Sequence, residues 1–199
     1  MTDPLTRAML DTAFEPHELL TPPVDILGPA TDPDAKEVLH TLGIPSWDNP
    51  WFDVDDEIGR RLEPVSEWDY ELSDVYQDVP EGAENWVALG MVPYDDIAFD
   101  PATGKVYCLP QDAEIYLLNS SLRSFVYFLY LLKVDCPRMD SGDDQSEWAG
   151  YTAAEHEEIR LHICEKMSAV DPVALENPKS LWFGILTYIV DPEAHFGRG

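Results

Sequence analysis

The chain has 199 residues and carries 39 Asp and Glu against 12 Lys and Arg, a formal net charge of −27. So negative a surface disfavours nucleic acid and anionic membranes as partners and attracts basic ones, mainly by speeding association. Its 45% hydrophobic content, with six Trp, nine Tyr and seven Phe, excludes a disordered acidic polypeptide.

Asp3-Pro4 reads as the start of a helix whose apolar face holds Leu5, Met9, Leu10 and Ala13. Glu15 to Pro29 contains four prolines and reads as an extended connector. Asp32-Pro33 repeats the start signal; Ala35, Val38, Leu39 and Leu42 share one helical face, and Gly43 with Pro45 ends it. Trp51, Phe52 and Val54 suggest a strand, while Ile58 to Leu62 suits a short strand or a turn. Trp68, Tyr70 and Leu72 alternate with acids, the pattern of a half-solvated strand. Asp78-Val-Pro-Glu-Gly82 is a loop and Asn85 to Met91 a further strand.

The densest signal lies between Trp86 and Lys133. Ile97-Ala-Phe99 alternates, Asp100-Pro-Ala-Thr-Gly104 supplies a turn, and Val106-Tyr-Cys-Leu109 resumes the β pattern. Pro101 presets the first φ of the turn, and Gly104 suits a left-handed position. Glu114 to Leu118 is a third strand, after which Asn119-Ser-Ser121 can cap a helix. That helix carries Leu122, Phe125, Val126, Leu129 and Leu132 as one buried stripe. Asp135-Cys-Pro137 stops it. Residues 138–150 read as a polar loop. Thr152 with Glu155 makes a capping box for a helix to about Ser168, with Ile159, Ile163 and Met167 inward. Asp171-Pro172 starts a helical turn. Asn177-Pro178 starts a last helix bearing Leu181, Trp182, Ile185, Leu186 and Ile189, which Asp191-Pro192 ends.

These elements predict an α+β fold: a mostly antiparallel sheet of about five or six strands flanked by N-terminal and C-terminal helices. One domain is expected over 1–199, with N-terminal helices over 1–45, sheet and central helix over 46–134, and a C-terminal helical extension over 135–199. A domain of this size buries roughly 70% of its unfolded surface and needs no disulfide. Cys108, Cys136 and Cys164 sit in apolar contexts and read as free buried thiols in a reducing cytoplasm. The start Met-Thr-Asp-Pro-Leu lacks the basic and apolar regions of a signal peptide, and the longest apolar run, Phe125 to Leu132, is too short to span a membrane. A cytoplasmic location is therefore expected.

Trp86-Val-Ala-Leu-Gly90, the run Ile97 to Tyr107 and Leu118-Asn-Ser-Ser-Leu-Arg-Ser-Phe125 resemble the SUKH superfamily of bacterial immunity proteins, in particular its fourth subgroup. Val170-Asp-Pro-Val-Ala-Leu175 and the later Trp182 are similar to the end of that subgroup. The likeness spans about Leu39 to Ile189. It implies a non-enzymatic inhibitor that binds a toxin domain encoded beside it, with no cofactor.

Candidate sites of other kinds fare less well on the residues themselves. His156 and His162 are six residues apart, whereas zinc protease chemistry needs four. Asp140 to Glu147 carries its glycine third, not sixth, so it departs from a calcium loop. Ser120 and Ser121 lack the flanking glycines of a nucleophile elbow and read as a helix cap. Glu114, beside Ile115, is expected on the solvent side of its strand. The expected partner surface instead combines aromatics with acids: Trp68, Asp69, Tyr70, Glu71 and Asp74, together with Asp53, Asp55, Asp56, Glu57, Asp95 and Asp96. Neither a metal site nor direct nucleic-acid or membrane contact is expected. The partner expected is a toxin domain with a basic surface, such as a nuclease or nucleic-acid deaminase, whose active cleft the chain would cover. Regulatory or scaffold binding of a cellular partner, a DNA-mimic inhibitor, and an enzyme with a carboxylate site remain open on the sequence, as does the oligomeric state.

Overall fold

Five antiparallel strands lying in chain order form the central sheet of the computed structural model, which describes residues 5–92, 94–136 and 152–190. A two-stranded sheet, β1 (Leu19–Leu20) with β2 (Ile44–Pro45), stands apart from it. The main sheet runs β3 (Asp53–Val54), β4 (Val87–Val92), β5 (Asp95–Phe99), β6 (Val106–Leu109) and β7 (Tyr116–Asn119). The helices are α1 (Arg7–Ala13), α2 (Pro33–Glu37), α3 (Leu72–Val75), α4 (Leu122–Asp135), α5 (Ala153–Val170) and α6 (Leu181–Val190). The fold is α+β, as the pattern of elements predicts.

Local chemistry accounts for the β5–β6 hairpin. Asp100 accepts from the Ala102 N–H at 2.8 Å and the Thr103 hydroxyl at 2.7 Å, and Gly104 takes φ +71°. The turn then docks on α2. Thr31 and Asp32 N–H donate to the Pro101 carbonyl at 2.8 and 3.0 Å, while Asp32 caps α2 by accepting from Ala35 N–H. Past α2 the chain makes a π-helical turn over Val38–Leu42, closed by Gly43 at φ +87°.

Helix α4 lies under the sheet. Ser121 accepts from the Ser124 N–H, Ser124 Oγ answers the Ser121 N–H, and Cys136 ends the helix. All five stripe residues are buried with Leu89, Ile97, Phe99, Val106, Cys108 and Leu118 of the sheet. Fully burying such side chains contributes about 1.5–3 kcal/mol each. α1, α2 and α5 pack on α4. Arg123, at the start of α4, ties it to α2 through Asp34 at 2.6 Å and Glu37 at 2.9 Å.

Several local expectations need correction. Trp68, Tyr70 and Leu72 do not form a strand. The free edge of β4 is already occupied: Ala88 N–H donates to Glu63 O at 3.0 Å and Val65 N–H to Trp86 O at 2.8 Å, and further along the same edge β3 pairs with Gly90 and Met91. The chain after Pro64 therefore closes its hydrogen bonds locally, as a 3-10 turn over Val65–Glu67 and then α3. Residues 56–59 form a 3-10 turn, which settles the choice left open there in favour of the turn. The expected connector from Glu15 to Pro29 holds two 3-10 turns and β1. Thr6, not Asp3, caps α1, by accepting from Met9 N–H; Asp3 and Pro4 lie outside the described residues. α6 begins at Leu181 rather than just after Pro178, because Asn177 to Ser180 close a turn first. Asp191-Pro192 and the loop 138–150 lie outside the described residues.

Candidate functional site

The second face of the sheet is covered by the segment between Glu63 and Trp86. Val65, Leu72, Tyr76, Ala83 and Trp86 are buried against Ala98 and Leu109, with Tyr107 and Ile115 packed alongside. Trp86 stacks on Tyr107 with ring centroids 4.0 Å apart and planes 10° from parallel. Side chains of this layer line a concavity of about 720 Å³, walled by Trp68, Asp69, Tyr70, Glu71, Asp74 and Glu84 among others. Trp68 and Tyr70 are half-buried, with ring centroids 5.6 Å apart at 42°. The four acids are exposed, and none of them is ion-paired among the described residues. Glu67, one turn away, is neutralised by Arg61.

Tyr70 is the joint between this layer and the sheet. Its hydroxyl donates to Asp96 Oδ2 at 3.1 Å. Burial first, then the neighbouring Asp96 charge, drives the Tyr70 hydroxyl far above its ordinary range, and burial pushes Tyr76 up to about 12. Burial also raises Asp96 above its ordinary 3.8, opposed by the hydrogen bond from Tyr70. A carboxyl raised on folding favours the folded state fully below its unfolded value and loses that contribution as pH rises through its folded value. Asp96→Asn, whose amide oxygen can still accept from Tyr70, is therefore expected to be as stable as the parent or more so at pH 7. The advantage should disappear below the ordinary 3.8. Urea titrations of both proteins at neutral and acid pH check this.

The other acids expected at a partner surface divide into two groups. Asp53 and Asp96 lie in one cross-strand row: Asp53 is opposite Met91, and Met91 is opposite Asp96. Opposed residues point to the same face of a sheet, so Asp53 shares the outer face with the concavity. Asp95 turns instead to the Gln111 N–H at 3.2 Å. Asp55, Asp56 and Glu57 leave the sheet after β3 and are used locally. Asp55 caps the Glu57 N–H, Asp56 accepts from Ser46 Oγ, and Glu57 pairs with Arg60 at 2.9 Å. Glu84 belongs to the concavity yet has no distinguishing sequence signal, since it precedes a strand as an ordinary loop acid.

Residues weighed for other chemistries take structural places. Ser121 caps α4, Ser120 donates its N–H to Asp171, and Glu114 is exposed. His156 is buried on α5 whereas His162 is exposed, 4.0 Å from Asp135. Among the described residues no group of three or more His, Cys, Asp or Glu is placed to hold a metal ion. The candidate calcium loop Asp140 to Glu147 lies outside them.

One buried polar cluster had no counterpart in the expected sites. Asp171 is 1% exposed; its Oδ2 accepts from Ser120 N–H at 2.7 Å, Ser124 Oγ at 2.8 Å and Asn119 Nδ2 at 3.1 Å. Trp182 Nε1 donates to Asn119 Oδ1 at 3.0 Å. The cluster thus ties together the end of β7, the start of α4, the chain after α5 and the start of α6. Its members come from the three runs Leu118 to Phe125, Val170 to Leu175 and Trp182 that carry the likeness to the SUKH subgroup.

The SUKH-4 immunity protein family matches this chain over residues 5–188. The chain belongs to that family. Membership implies an immunity function directed against a toxin protein. No curated protein and no solved structure matches the immunity protein. Among its described residues no helix is long and apolar enough to cross a membrane.

Proposed function

We propose that this immunity protein neutralises its toxin by stoichiometric binding, without turnover, and that the concavity on the outer layer receives a basic segment of the toxin. The observation that carries this reading is the set of four carboxylates, Asp69, Glu71, Asp74 and Glu84, none of them ion-paired among the described residues, that line the concavity together with the half-buried Trp68 and Tyr70. Unpaired acids keep their full potential for an arriving cation, whereas a paired acid must first give up its partner. Half-buried aromatics already fixed by packing lose little entropy on contact and make effective anchors. Enzymes that act on nucleic acid line their clefts with bases to hold phosphate, so a toxin of that class, a nuclease or nucleic-acid deaminase, offers the matching surface. Filling that cleft excludes its substrate. Action in the cytoplasm belongs to the same proposal. The three cysteines are free, and burial pushes Cys108 and Cys136 up to about 12, which keeps both as unreactive thiols at neutral pH.

The test is co-expression with the toxin domain encoded by the neighbouring gene. Rescue of growth and a complex on a sizing column are expected; absence of both rejects the inhibitor reading. Within the complex, Glu71→Gln with Asp74→Asn should slow association several-fold at low salt and much less at high salt. Trp68→Ala should speed dissociation about tenfold or more. If neither variant changes the rates, the concavity is not the binding site.

A further inference from the structure

The acidic surface continues past the concavity along a single row of the sheet. Asp53 on β3, Met91 on β4 and Asp96 on β5 are directly opposed neighbours, so their side chains leave the same face. Met91 is 42% exposed near the end of β4, Asp53 is exposed, and Asp96 is half-buried. Among the described residues neither carboxylate is ion-paired and the one side-chain hydrogen-bond partner of Asp96 is the Tyr70 hydroxyl, which belongs to the wall of the concavity. The row and the concavity therefore form one continuous surface joined at Tyr70 and Asp96. A lone exposed methionine is ordinary. A methionine bracketed on both sides by unpaired carboxylates presents a defined pattern: negative, apolar, negative, with the two charges two strand spacings or about 10 Å apart.

We propose that this row is the second half of the toxin-binding surface, and that it takes a toxin segment presenting two cationic side chains about 10 Å apart with an apolar side chain between them. The inference rests on the concavity reading and deepens it by stating the partner's pattern. Methionine suits the central position because its unbranched thioether adapts to differently shaped apolar partners and makes favourable contacts with aromatic rings. The flanking carboxylates set the register. A segment shifted by one position would place a cation over the methionine and leave a carboxylate facing an apolar group.

The experiment uses the full chain and the toxin domain encoded beside it. Met91→Ala should weaken the complex about tenfold through faster dissociation. Asp53→Lys should slow association at low ionic strength, with the difference shrinking as salt is added. Both positions are exposed, so urea midpoints should match the parent. Hydroxyl-radical footprinting of the unmodified protein gives an independent readout, in which Met91 oxidation should fall when the toxin is bound. Unchanged affinity of both row variants, with Trp68→Ala still weakening the complex, would overturn the row and leave the concavity standing. Met91 oxidised equally with and without toxin would overturn the row as well. Weakening by the row variants alone would instead sustain the row and overturn the concavity. No change in any of the three would overturn both.

Discussion

Replacing Gly90 with alanine is expected to lower stability by about 3 kcal/mol or more and to detach β3 from the sheet. Gly90 has φ +139°, a region that L side chains rarely adopt, and it sits at the register shift between β4 and β5. A Cβ there would fall 2.1 Å from the Asp53 carbonyl oxygen and 2.8 Å from Val54 Cα. Both obstacles are backbone, so no rotamer change relieves them. The bulge lets β4 turn its flat glycine face to β3, which otherwise could not approach closely enough to pair. If β3 is displaced, its own buried Val54 and the adjacent buried Trp51 and Phe52 lose their packing. Gly28→Ala provides the control: its Cβ would meet nothing within 4 Å, so stability should change little. Urea denaturation of the two variants measures the contrast, and a Gly90→Ala midpoint close to the parent's would disprove this account of the bulge.

Asp171→Ala is the second large effect. A buried carboxylate holding three donors cannot be removed without leaving Asn119 Nδ2 and the Ser120 N–H short of an acceptor, while Ser124 Oγ can still donate to the Ser121 carbonyl at 2.9 Å. Stranded buried donors cost about 1–3 kcal/mol each, and a collapsing network relieves part of this, so a loss of about 3–4 kcal/mol is expected. Asp171→Asn keeps an acceptor oxygen and should cost roughly half as much. Asn119 also holds Trp182, whose ring packs on Phe125 and Phe128 at 6.0 and 5.0 Å. Asn119→Ala and Asp171→Ala should accordingly combine to less than the sum of their separate effects. Additive losses would show that the two side chains act independently.

Both variants fall inside the runs that relate the chain to its family, and they show what those runs contain. Gly90 is the residue that lets one backbone pass close to another. Asp171, Asn119 and Trp182 tie the end of β7, the chain after α5 and the start of α6 to the start of α4. Their role is to place the sheet and its outer layer; the acids proposed to meet the toxin lie in less distinctive stretches. Glu84 had no sequence signal at all. Asp55, Asp56 and Glu57 looked as suitable as Asp69, Glu71 and Asp74, yet the fold uses them for a cap and an ion pair beside β3. Acid density does not separate these two groups, because the difference lies in what stands opposite each carboxylate.

The sequence by itself determined the elements whose hydrogen bonds and burial are local. The apolar stripe of α4, its serine cap, the Asp32-Pro33 start, the Thr152–Glu155 box and the Asp100–Gly104 turn each follow from interactions within a few residues. Only the tertiary structure decided the outer layer. The alternation of Trp68, Tyr70 and Leu72 was that of a strand, but a strand exists only where a neighbour offers an open edge, and the edge of β4 was taken by β3 and by Glu63 to Val65. The partners of Asp171, the reach of Tyr70 to Asp96 and the alignment of Asp53 with Met91 likewise join residues from 26 to 52 positions apart in the hydrogen bonds concerned, and 38 apart in the strand pair. Such meetings depend on how the whole chain packs, because hydrophobic periodicity states which side of an element is buried and is silent on what it will be buried against.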